Sequence, residues 1–161
     1  MVGPVVGTIY ILFLIVAYVV NGIWIYRASS NAAQIDPDTR RISVGCTVGW
    51  YFIPIANLWM PFQAMKQLWN SSHGGVTGDI HASAPMLLSF WWVAWVVSSL
   101  LPDASFRIPM RNDGLETWST TARLDVLAAP ASILSAILFL KILRAVTQVQ
   151  GNQSRQAEIF A

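Results

Sequence analysis

The residues able to do chemistry are few and poorly grouped for it. His73, Asp79 and His81 bracket a glycine-containing stretch, HGGVTGDIH. Two imidazoles and a carboxylate hold zinc when their spacing lets the donors converge on one ion, and this spacing matches no standard site. Ser71, Ser72 and His73 are adjacent, yet a serine nucleophile needs an oriented base and an oxyanion hole, and neither is detectable here. Cys46 is the only cysteine, so no intrachain disulfide can form, and it reads as a small packing residue. Lys141 lies close enough to one end of an apolar run to snorkel. Trp91 and Trp95 share a helical face and offer a stacking surface for a flat apolar ligand, although lipid contact or packing is the plainer use. No carboxylate sits in the middle of an apolar run, where proton- or sodium-coupled transporters carry one. The sequence therefore predicts no enzyme, no cofactor and no metal site.

The elements that carry these residues are apolar. Of 161 residues, 55% are hydrophobic and 11% charged, against about 25% charged in an ordinary soluble domain. Eight tryptophans and a mean hydropathy of +0.51 point the same way: part of the chain has lipid as its solvent. The length suits a single membrane domain over residues 1–161. Net charge is +2 and the basic residues are scattered, so no nucleic-acid partner is implied.

Four apolar segments stand out, and the sequence predicts an all-α, polytopic membrane bundle with four transmembrane helices at about 4–27, 42–60, 85–102 and 124–147. The first ends at Trp24, Tyr26 and Arg27, an aromatic and cationic set suited to the headgroup level. It is too long for a signal-peptide core and lacks a cleavage site. A polar connector, RASSNAAQIDPDTRR, follows, with a turn signal at Asp36-Pro37-Asp38. The third segment lies between Pro85 and Pro102, a polar loop covers 103–123, and the tail after the fourth segment reads as solvated and frayed. Between the second and third segments, stepping 100° per residue gathers Gln63, Lys66, Gln67 and Asn70 on one arc. Ala64, Met65, Leu68 and Trp69 fall opposite, which predicts an interfacial amphipathic helix at about 60–70 with Pro61 near its start.

The second segment, GWYFIPIANLWMPF, holds two prolines and an amide. As one proline-broken helix it would place Trp50, Pro54, Asn57 and Pro61 on a single stripe. Each proline frees the carbonyl four residues back, so that stripe must face protein or water. Asn21 or Asn31 is the expected hydrogen-bond partner. WIYRASSN followed by GWYFIPIANLWMPFQAMKQLWNSS resembles a bacterial membrane family catalogued as domain of unknown function 4328. Trp24, Tyr26, Arg27, Asn31, Trp50, Pro54, Asn57, Trp59, Pro61, Met65, Leu68 and Trp69 fit its pattern. The Trp91-Trp92 pair and Thr147-Gln148 agree more loosely. The resemblance implies a membrane architecture and no particular activity.

If all four segments cross, Arg27, Arg40, Arg41, Arg107, Arg111 and Arg123 share one face. If the second turns back at residues 54–57, Arg27, Arg40, Arg41, Lys66, Lys141, Arg144 and Arg155 share it instead. Both versions put the 28–41 connector in the cytoplasm of a bacterial inner membrane. The sequence favours four crossings, and a non-catalytic accessory or scaffold subunit packed on another membrane protein or on its own copies. The alternative is a small-solute or ion pathway lined by the Trp50–Pro61 stripe.

Overall fold

The computed structural model describes residues 2–35, 42–53, 55–73, 83–107 and 115–160, and the described residues are helical, with no strand. The chain divides into two compact units, Met1–His81 and Ala82–Ala161.

The first unit is built on α1 (Val2–Ile35). Pro4 falls in its first turn, where a missing N–H leaves no bond unmade. From residue 7 to residue 20 every side chain on the helix is exposed, Phe13 at 72% among them. Packing begins only beyond residue 20, where Ile25, Ala28, Ser29 and Ala32 are buried at helical spacing on one face. The connector expected to start at Arg27 is therefore helical to Ile35, because its small residues lie beneath neighbouring elements.

Those neighbours come from residues 42–72, and they are not the single helix expected at 42–60. The chain forms α2 (Val44–Gly49), a 3-10 turn at Trp50–Phe52, a second at Ala56–Leu58, and then α3 (Met60–Ser72). Gly49, Pro54 and Pro61 interrupt the run so often that no stretch between them is long enough to sustain a helix. Pro54 itself lies outside the described residues. The stripe of Trp50, Pro54, Asn57 and Pro61 needs one continuous helix and so does not form.

The segment doubles back instead. Val48 approaches Gly22 of α1, its Cγ1 lying 3.6 Å from where a β-carbon on Gly22 would sit. Tyr51, further along, is within electrostatic reach of Tyr18. The outgoing leg thus runs against the direction of α1. After the bend, α3 returns beside α1 and α2.

The second unit is a pair of helices, α4 (Met86–Arg107) and α5 (Leu115–Phe160). Leu88, Trp91 and Ala94 of α4 are buried, as are Ala128, Ser135, Ile142 and Val146 of α5. Ala128, Ser135 and Ile142 recur every seven residues, the repeat of left-handed antiparallel packing. Trp91, early in α4, meets Phe139, well into α5, at 5.7 Å. Helix replaces much of the expected 103–123 loop, since α4 passes through Pro102 to Arg107 and α5 starts at Leu115. The tail is also helical, to Phe160. At 46 residues and about 1.5 Å per residue, α5 is roughly twice the length a bilayer core of about 30 Å requires.

Candidate functional site: the doubled-back hairpin

Polar groups inside an apolar hairpin need partners, and the hairpin's base supplies them. Gln67 is fully buried. Its Oε1 accepts the Ile42 N–H at 3.1 Å, and its Nε2 donates to the Ile42 carbonyl at 3.3 Å. The side-chain amide acts as a peptide group would, bonding both backbone groups of a residue that precedes α2. This joins the two ends of the hairpin. Ser43 caps α2 through its Oγ, which accepts from the Cys46 N–H at 3.4 Å.

The polar arc read from the sequence is therefore not a solvated face. Gln67 and Asn70 are buried and Lys66 is half-buried, while Ala64, Met65 and Leu68 on the other side are buried too. Helical periodicity groups side chains by direction, but it does not say whether water or a neighbouring helix lies in that direction. Trp69 is half-buried and stacks on His73 with centroids 4.1 Å apart and planes at 15°.

At the bend, the backbone donors bond locally. Asn57 N–H donates to the Ile53 carbonyl at 2.7 Å, Leu58 to Ile55 at 3.3 Å, and Trp59 to Ala56 at 3.0 Å. Two side-chain atoms differ: Asn57 Oδ1 and Trp50 Nε1 are buried and have no hydrogen-bond partner among the described residues. Asn21, expected to meet Asn57, instead donates from Nδ2 to its own helix at Ala17 O, 2.8 Å away. Asn31 and Arg27 are exposed on α1, Trp59 is 67% exposed, and Pro61 is buried in the first turn of α3.

Away from the hairpin, Trp91 packs on Phe139, and Trp95 stacks on Trp92 at 4.8 Å and 13°. Trp92 also lies 5.6 Å from Trp91, so Trp91 and Trp95 share it as a neighbour. Cys46 is exposed, so it does not serve as the packing residue expected. His81 and Asp79 lie outside the described residues; among those described, no three metal-ligating side chains gather. Sequence reasoning missed Gln67 and Gly22. For Gly22 the available signal was a glycine in the middle of an apolar helix; nothing local marked Gln67 apart from its polar neighbours.

Fold and site define a class: an all-helical protein with a doubled-back central segment and two helices, Gly7–Gln34 and Ser119–Arg155 at their apolar extent, long and apolar enough to cross a membrane. The chain matches the family described as Domain of unknown function (DUF4328) over residues 1–148, and it belongs to that family. Comparisons with curated proteins and with solved structures return no match.

Proposed function

We propose that this is a multi-pass protein of the bacterial cytoplasmic membrane, with residues 28–41 on the cytoplasmic side, acting as a non-catalytic accessory or scaffold subunit. Its partner is another membrane protein or a further copy of the chain. The observation that carries this reading is the exposed first half of α1, at Val5 and over residues 7–20. Leaving that many large apolar side chains in water costs about 25 cal/mol for each Å² of apolar surface, so lipid or protein must cover them. The polar groups of the central segment support a structural role. Gln67 is committed to Ile42 and Asn21 to its own helix, so neither contributes to a continuous polar path.

A second reading, a pathway for a small solute or ion, is favoured by Asn57 Oδ1 and Trp50 Nε1, which are buried without partners among the described residues. Asn57→Leu separates the two. In a scaffold, the substitution disturbs assembly, seen by pull-down in mild detergent, and leaves vesicle permeability unchanged. In a pathway, permeability changes while assembly persists. A stoichiometric partner recovered with the wild-type chain supports the scaffold, and recovery of a homo-oligomer alone shifts the balance to the pathway.

A further inference from the structure

The bend of the hairpin carries exposed apolar side chains where a water-facing turn would carry polar ones. Phe52 is 78% exposed and Ile55 87%, and Ile53, Leu58 and Trp59 are exposed beside them. Turns that face water favour Gly, Asn, Asp and Ser, which hydrogen-bond locally and tolerate tight backbone. We propose that this bend is a lipid-docking surface, inserted among the acyl chains of a single leaflet, and that residues 42–72 enter and leave by the same face of the membrane. The proposal rests on the reading that the protein is a membrane protein.

Three observations identify acyl chains as the occupant. First, the backbone can bear it: the N–H groups of Ile53, Asn57, Leu58 and Trp59 are all hydrogen-bonded within the bend. An unbonded donor in hydrocarbon costs several kcal/mol, which is why irregular backbone is normally kept from lipid. Second, the depth fits. Val48 lies against Gly22 of α1. Gly22 is five residues before Arg27, or about 7.5 Å along the helix, and the bend lies beyond Val48, within reach of the middle of a hydrocarbon core of about 30 Å. Third, the charges lie at the opposite end. Arg27 and Lys66, the charged residues described in this unit, are near the base where Gln67 holds Ile42, at the level where anionic headgroups attract cations. Val19, Val20 and Ile23 of α1 are exposed as well.

One consequence concerns the chain's topology. If residues 42–72 return to the face they left, α1, α4 and α5 make the crossings. Lys66 then lies on the cytoplasmic side with Arg27.

The test uses the full chain with Cys46→Ser, carrying Ser43→Cys, His73→Cys or Ile55→Cys one at a time, all at exposed positions. Sealed vesicles are treated with a membrane-impermeant maleimide, and a fluorophore at position 55 is challenged with lipids brominated at mid-chain. Positions 43 and 73 are expected to label from the same side. Position 55 is expected to label roughly tenfold more slowly than either until detergent is added, because water is scarce in the acyl region, and its fluorophore to be quenched. Labelling of 43 and 73 from opposite sides overturns the proposal, as does rapid labelling of 55 from the far side. Protection of 55 without quenching overturns it too, since protein rather than lipid then covers the bend. Release of the unmodified chain from membranes by alkaline carbonate would overturn the membrane reading itself, an outcome distinct from the other three.

Discussion

The hairpin of residues 42–72 and the α4–α5 pair both contain prolines within apolar sequence, and they respond in opposite ways. Pro102 and Pro130 lie inside continuous helices. Between Gly49 and Met60 the chain breaks into two 3-10 turns and a bend. A proline in a helix interior costs about 3 kcal/mol, which a helix can absorb when its buried face continues on both sides. α5 has such a face, with Ala128 buried before Pro130 and Ser135 after it. The central segment has apolar residues in every direction and no single face to preserve, and its breakers come closer together. Proline permits a break here, and the absence of a continuous packed seam makes it.

The largest expected effect tests the seam. Trp91→Ala empties a buried site against Phe139 and should cost about 3–5 kcal/mol, read as a lowered unfolding midpoint by far-UV circular dichroism in detergent. An unchanged midpoint would mean the pair is not held by this packing. Next comes the hairpin's base. Gln67→Leu removes both hydrogen bonds that Gln67 makes to Ile42, at about 2–4 kcal/mol, and hydrogen exchange should speed up over residues 42–53 before it does in α4. Gln67→Glu sharpens the point: an ionised carboxylate accepts from the Ile42 N–H but cannot donate to its carbonyl, whereas the protonated acid does both. Folding therefore favours the protonated form, and the protection lost in this variant should return as pH falls.

The prolines give a smaller effect of opposite sign. Pro130→Ala should stabilise α5 by about 1–3 kcal/mol, since the helix already continues through it. Pro61→Ala, in the first turn of α3, should change stability by less than about 0.5 kcal/mol. Equal responses from the two would remove the contrast between the regions. The smallest effect belongs to Gly22→Ala. Its methyl would meet Val48 Cγ1 at 3.6 Å, an ordinary contact, so stability should shift by under about 1 kcal/mol, whereas Gly22→Leu should push α2 away and raise hydrogen exchange there.

Much of this was legible in the residues. The long apolar runs gave α1 and α5, and Pro61 with the helical spacing after it gave α3, because both signals are local. The break near residues 50–59 was also foreseeable from its glycine and prolines, although it proved complete where a kinked helix was expected. The pairing of Gln67 with Ile42 was not legible, since the two are 25 residues apart and a glutamine on a polar arc is the usual mark of a face in water. Ends fared worst: α1 continued past Arg27, where buried Ala28, Ser29 and Ala32 outweigh the local stop signal, and α4 continued through Pro102 to Arg107.

The sequence by itself determined where helices form and where they must stop, since hydropathy, proline and glycine act through the backbone they belong to. Tertiary structure decided that the central segment turns back on itself, which of its polar side chains are enclosed, and what they hold. Those outcomes depend on which surface comes to lie against another, and periodicity specifies only the direction in which each side chain points.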